Sequence, residues 1–182
     1  RKSCHKKTKA IMPVHLNGLP ASMNAINKIA KKYNLKIIED SAQAILSKYN
    51  NKYVGTIGDV GCFSMHPTKN LGVAGDGGFI VTKNKKIHKN IKIISNHGTN
   101  EKGDLLMMGR NSRLDEIQAE FIIHRIKYLK EDVNKIIKIA NSYSKSLKNI
   151  TKTPYISNKS KLIHTYHRYV IMLKNKNERN AL

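Results

Sequence analysis

Three side chains in the first half of this sequence have the types and the order for chemistry between an amine and a carbonyl. Lys69 stands in a loop-like stretch five residues beyond Ser64, and Ser64 ends a short apolar run that begins at Cys62. A lysine amine becomes nucleophilic when its ammonium is desolvated, so one held over a sheet is a Schiff-base former. Asp40 closes a second apolar run, Leu35 to Ile38 followed by Glu39, and Gln43 lies three residues on. Together Asp40, Ser64 and Lys69 supply what pyridoxal phosphate needs. These are an amine for its aldehyde, a carboxylate that keeps its pyridine nitrogen protonated so that the ring accepts electrons, and a hydroxyl donor for its phosphate. Two plainer readings stand beside this one. The chain holds 34 Lys and Arg residues, so a single lysine is ordinarily a solvated surface group, and Asp40 or Ser41 equally reads as the N-cap of a short helix.

Such groups must be carried by strand ends. Ala10 to Val14 reads as a strand and His15 to Pro20 as its exit loop. A helix follows, N-capped by Ser22, with Met23, Ile26, Ile29, Ala30 and Tyr33 on one face, Lys28, Lys31 and Lys32 on the other, and Asn34 as its stop. With the strand that ends at Glu39 and Asp40, this makes a βαβ unit with parallel strands. In such sheets ligands gather beyond the carboxyl ends of the strands, where Asp40 falls.

Ser47 to Gly61 reads as loop, punctuated by Gly55, Gly58 and Gly61. From Cys62 to Ile80 the pattern is strand, irregular loop and a GDGG turn, with a further strand over Phe79 to Thr82. Neither GxGxxG nor the phosphate loop GxxxxGK[ST] is present. Lys85 to Ser95 is a basic amphipathic helix with Ile87, Ile91 and Ile94 inward. Ser112 and Asp115 have capping-box-like spacing and open a long helical pattern. Ile122, Ile126, Leu129, Val133, Ile136, Ala140, Tyr143 and Leu147 recur within it, as in a coiled coil, a long helix or a broken pair along a domain edge. After a polar connector, Tyr166 to Leu173 reads as a strand that opens a second subdomain.

The formal charge of +22 invites a nucleic-acid partner. The lysines are spread over every segment, however, and no basic stripe alternates with aromatics as single-strand binding requires. Cys4 and Cys62 are too few and too far apart for a disulfide framework or a thiolate zinc site, which suits a reducing cytoplasm. None of the eight histidines pairs as HExxH, so most read as surface or loop residues and no metal is expected. Ser64 lacks the GxSxG elbow of a serine hydrolase. No apolar run reaches membrane-spanning length.

The order EDSAQA (Glu39 to Ala44), GDVGCFSMHPTKNLGVAGDGGFIVT (Gly58 to Thr82), NHG (Asn96 to Gly98) and GRNSRLDEIQAE (Gly109 to Glu120) closely resembles the DegT/DnrJ/EryC1/StrS family. The resemblance runs from about Thr8 to about Leu173. Family members are pyridoxal-phosphate-dependent aminotransferases of nucleotide-linked keto sugars, of fold type I like aspartate aminotransferase. The implied fold class is α/β, a mostly parallel sheet flanked by helices, with residues 1–150 in the large cofactor-binding domain and 151–182 starting the small C-terminal domain. Lys69 then matches the lysine that binds the cofactor covalently and later shuttles the proton. Asp40 matches the acid at the pyridine nitrogen, Gln43 the amide beside the ring hydroxyl, and Ser64 a phosphate ligand. Asn111 matches a residue that reaches the phosphate held by the neighbouring subunit, so a homodimer with shared sites is implied. Arg113 belongs to the pattern without an assigned contact. The implied partners are glutamate as amino donor and a nucleoside-diphosphate keto sugar as acceptor, in amino-sugar or surface-polysaccharide biosynthesis. Sugar dehydratases of the same scaffold carry histidine at the lysine position, so Lys69 favours amino transfer. A phosphate-binding loop and a residue that stacks on the cofactor precede this region in the family. The chain is therefore expected to be an internal fragment, inactive by itself.

Overall fold

The computed structural model describes residues 7–154 and 161–181, so Cys4 and His5 lie outside the described residues. Strand β1 (Ala10–Ile11) pairs in parallel with β2 (Lys36–Asp40), Ala10 opposite Lys36 and Ile11 opposite Ile37. Between them runs α1 (Met23–Tyr33), whose buried Met23 and Ala30 meet Ile37 of β2 with Ile11, Ile26 and Leu35 around them. Asn34 ends α1 in the left-handed region, at φ 50°, and its N–H reaches the carbonyls of Ala30 and Lys31. A short polar side chain tolerates that conformation, as a C-terminal stop demands. Ser22 precedes the helix but makes no capping bond, because its backbone, at ψ 72°, is not extended.

Two more strands complete this sheet in the order β1-β2-β5-β6: β5 (Val60–Ser64) runs parallel to β2, and β6 (Gly78–Val81) antiparallel to β5. The sheet is thus mixed, three parallel strands and one reversed. A second sheet lies in the stretch expected to be loop. Here β3 (Lys48–Tyr49) and β4 (Lys52–Tyr53) form a hairpin, and β7 (Leu162–Ile163) pairs with the other edge of β3. Asn50 and Asn51 both have positive φ, 49° and 63°, which is the backbone a two-residue primed turn requires.

In β2 and β5, Glu39 stands opposite Gly61, and Asp40 opposite Cys62. A Cβ on Gly61 would lie 2.0 Å from the Gly55 carbonyl oxygen, so the 54–58 loop passes where a side chain would be. Gly61→Ala is therefore expected to destabilise the protein by about 3 kcal/mol or more. Denaturant unfolding of the full-length protein measures this.

Helix α2 (Lys85–Ser95) starts at Asn84, whose Oδ1 accepts the N–H groups of Lys86 and Ile87. Its buried residue is Ile93, whereas Ile94 is exposed and Ile87 and Ile91 are half-buried. The chain after α2 turns back onto the last turn of the helix, with Gly98 N–H on Ile93 O and Arg110 N–H on Ile94 O. The long helical pattern is a broken pair, α3 (Glu116–Arg125) and α4 (Leu129–Leu147), interrupted at residues 126–128. Asp115, not Ser112, stands at the N-cap, since the Ser112 backbone is engaged with Ser95 O. Residues 166–173 form no strand. Tyr166 sits at φ 46°, which breaks an extended run, and only the isolated bridge Lys152–Met172 pairs this segment. A short α5 (Lys176–Asn180) follows. Among the described residues no helix is long and apolar enough to cross a membrane.

Candidate active site

Residues paired in register point to the same face of a sheet, and successive residues alternate. Asp40 and Cys62 are register partners, so Asp40, Cys62 and, two residues on, Ser64 share one face at the carboxyl ends of β2 and β5. Glu39 and Phe63 take the other face. The thiol of Cys62 senses this neighbourhood: burial pushes its pKa up, and the negative charge of Asp40 adds to the rise.

Asp40 caps no helix. Its Oδ1 accepts the Ala42 N–H at 3.1 Å inside a turn, and among the described residues Oδ2 has no partner. Gln43 is held by its oxygen, which takes the Asn17 N–H at 2.7 Å, and among the described residues its amide nitrogen has no partner. At the end of β5, Ser64 Oγ accepts the His66 N–H at 3.3 Å.

Lys69 lies on the loop that follows, and apolar residues fix that loop. Met65, Leu71 and Val73 are buried, and Leu71 packs against Leu129 and Val133 of α4. Met65 N–H bonds to Gly77 O and Val73 N–H to Met65 O, which closes the base of the loop, and Lys69 N–H bonds to His66 O. Gln118 of α3 accepts the Ala74 N–H, docking the glycine-rich turn on that helix. The Lys69 side chain is half-buried and, among the described residues, its ammonium has no hydrogen bond or ion pair.

The structure thus brings Asp40, Gln43, Ser64 and Lys69 to one end of the sheet. Asn111 lies elsewhere, in the exposed segment after α2, where its Oδ1 accepts from Arg113 Nε at 3.1 Å. A surface hollow lined by His88, Lys92, Asn96, Thr99 and Arg113 among others contains none of the four.

Sequence reasoning missed two sets of residues. His15 and Glu39 are fully buried and bonded to each other at 3.0 Å. The Glu39 carboxylate also accepts the backbone N–H groups of Gly55, Ile57 and Gly58. Burial acts to raise its pKa, but the His15 and backbone hydrogen bonds outweigh it and hold Glu39 below the usual carboxylate value. The second set joins the chain after β7 to the site. Thr165 is buried with its hydroxyl 2.7 Å from Ser47 Oγ, its carbonyl accepts from Asn70 beside Lys69, and the buried His164 bonds to Asn17 O. His167 follows. Burial and then the charges of Lys69 and Arg168 hold it below the ordinary histidine value. Histidines carry no periodic signal that separates a buried one from a surface one.

Over residues 1–182 the sequence matches the DegT/DnrJ/EryC1/StrS aminotransferase family. The chain belongs to that family. Among its curated relatives is the dTDP-3-amino-3,6-dideoxy-alpha-D-galactopyranose transaminase of Aneurinibacillus thermoaerophilus, 42% identical over 92% of this chain and 46% of the relative. Of solved structures, DesV of S. venezuelae, in complex with a ketimine intermediate, superposes with a TM-score of 0.92 at 31% identity, covering 99% of this chain and 48% of DesV. NtdA of Bacillus subtilis, solved with its cofactor PMP bound, gives a TM-score of 0.85 at 32% identity over 99% of this chain and 41% of NtdA. The fold is accordingly that of the pyridoxal-phosphate-dependent aminotransferases. The chain spans less than half the length of the curated relatives it matches.

As a member of the DegT/DnrJ/EryC1/StrS family the chain carries a donor set that fits the cofactor: a carboxylate oxygen and an amine, both without a partner among the described residues, and a hydroxyl at one sheet end. Two of its histidines are expected to make the fold acid-sensitive. His164, through burial, and His167 both have lowered values, so the folded state favours the neutral rings. Both rings are neutral in either state above the ordinary value of 6.5, and stability falls as pH drops below it, because the unfolded chain takes up protons first. Glu39, held low, adds a second loss as pH falls below 4.5. The melting temperature of the full-length protein is expected to be lower at pH 5.5 than at 7.5, and lower again at pH 4.

Proposed function

We propose that this chain is the cofactor-holding part of a cytoplasmic, pyridoxal-phosphate-dependent aminotransferase. It moves an amino group from glutamate to a keto sugar attached to a nucleoside diphosphate. The observation that carries the reading is the convergence of Asp40, Ser64 and Lys69 at the carboxyl ends of β2 and β5, in a chain of this family. When bound, the cofactor supplies the electron sink that makes a proton on the donor's α carbon removable.

The residues of the chain do the rest. Lys69 Nζ would hold the cofactor covalently and, when free, would carry the proton away from the donor's α carbon. Asp40 would pair with the pyridine nitrogen and keep it charged. Gln43, its oxygen already occupied by Asn17 N–H, offers its amide N–H to the ring hydroxyl. Ser64 donates its hydroxyl to the phosphate. We place residues 1–150 in the large domain and 151–182 in the start of the small one. Asn111 serves the phosphate site of a second copy. Support for that dimer comes from the surface around Asn111, where Leu105, Met108 and Ile117 are 74%, 96% and 78% exposed and α3 buries none of its residues.

Incubation of the cofactor-loaded full-length protein with glutamate tests the reading. It should convert glutamate to 2-oxoglutarate in an amount stoichiometric with the enzyme, and catalytically once a nucleotide-linked keto sugar is added. No 2-oxoglutarate would exclude amino transfer from glutamate.

A further inference from the structure

Glu39 and His15 lie on the opposite side of β2 from the face that carries Asp40, Cys62 and Ser64, yet His15 reaches the Asp40 backbone and the loop it closes reaches Gln43. His15 is tied twice to adjacent residues of the strand: its backbone N–H donates to Asp40 O at 3.0 Å, and its ring Nε2 bonds to Glu39 Oε2 at 3.0 Å. The Asp40 N–H goes to Pro13 O at 2.9 Å, so both backbone groups of Asp40 are held by residues 13 and 15. His15 Nδ1 accepts the Ala21 N–H at 3.0 Å, which closes the 15–21 loop on the same ring. Inside that loop Asn17, at φ 57°, directs its N–H to Gln43.

The acceptor on Nδ1 fixes the tautomer: Nε2 carries the hydrogen and donates to Glu39. All four groups facing the Glu39 carboxylate are then donors, namely His15 Nε2–H and the N–H groups of Gly55, Ile57 and Gly58 at 2.8, 2.7 and 2.6 Å. Two of them meet each oxygen. An amide in place of the carboxylate must set its NH2 against a pair of donors whichever way it is turned, so only an ionised carboxylate satisfies the site.

We propose that Glu39 and His15 form a positioning pair for the cofactor site, a buried clamp that sets Asp40 and the Asn17-held Gln43 where the pyridine nitrogen and ring hydroxyl are received. This rests on the reading that Asp40, Gln43 and Lys69 hold pyridoxal phosphate. Positioning is reciprocal, so a cofactor that engages Asp40 must in turn steady the groups that hold Glu39.

The test uses the full-length protein and two measurements. In the wild type, amide hydrogen exchange is followed with and without pyridoxal phosphate; Gly55, Ile57 and Gly58 should exchange at least about tenfold more slowly when it is bound. In Glu39→Gln and His15→Leu, pyridoxal phosphate should bind at least about tenfold more weakly, and the pH at which the visible absorption of the bound cofactor changes should shift. His15→Gln, whose NH2 still reaches Glu39, should recover most of the affinity. Equal exchange at the three amides, or variants with wild-type affinity and an unshifted pH profile, overturns the clamp. If the variants do not fold, the wild-type exchange decides by itself. A wild type that takes up no pyridoxal phosphate at all overturns the reading of the site, a different outcome from cofactor uptake without protection.

Discussion

Lys69→Ala in the full-length protein is expected to lower the rate of 2-oxoglutarate formation from glutamate by at least about a thousandfold, the scale on which positioned proton transfer acts. Nothing else in the loop replaces the amine: His66, Pro67 and Thr68 are exposed, and Asn70 is bound to Thr165 O. The loop should keep its shape, because Leu71, Met65 and Val73 anchor it and the Lys69 side chain makes no bond among the described residues. Melting temperature should accordingly change little while turnover collapses. A variant that retains a tenth of the activity would remove Lys69 from the chemistry.

Asp40→Asn is expected to cost about 10²–10³ in kcat, with a smaller effect on cofactor uptake. The amide keeps the shape of the carboxylate and its oxygen can still accept the Ala42 N–H. What is lost, on the proposed role, is the negative charge that would keep the pyridine nitrogen protonated. The same substitution has a readout independent of turnover. Asp40 contributes to the raised pKa of Cys62, so the pH midpoint for alkylation of Cys62 should fall in Asp40→Asn without cofactor, though burial will still hold it above the ordinary thiol value. An unchanged midpoint would mean that the Asp40 charge does not face Cys62.

The elements that place these residues were legible where local chemistry and packing agree. Helix α1 has an apolar face, a left-handed Asn34 and flanking strands, and the structure has helix and parallel strands there. Lys85–Ser95 is helical for the same kind of reason, with Asn84 as its cap. The 48–53 hairpin was hidden because its strands are two residues each and its signal, Asn50 and Asn51, resembles loop composition. Ser112 reads as a cap, but a backbone bond to Ser95 that no local pattern announces moves the start of α3 to Asp115. The strand expected over 166–173 failed at Tyr166, whose positive φ follows from the way the Thr165 region is bound to Ser47, Gly18 and Asn70.

Within the candidate site, Asp40, Ser64 and Lys69 could be proposed because their residue types suit the chemistry and the strand ends could be located, and Gln43 through the family resemblance. Glu39 and His15 could not. They lie 24 residues apart, and their pairing depends on β1 and β2 lying side by side and on Gly61 leaving room for the loop that donates to Glu39. Long-range contacts of that kind leave no periodicity behind.

Reduction of the cofactor-loaded full-length protein with borohydride, followed by peptide mapping, is the most direct measurement of where the cofactor is held. The pyridoxyl label is expected on Lys69 alone, in the peptide that contains His66-Pro67-Thr68. A label on any other lysine, or none at all, would contradict the assignment.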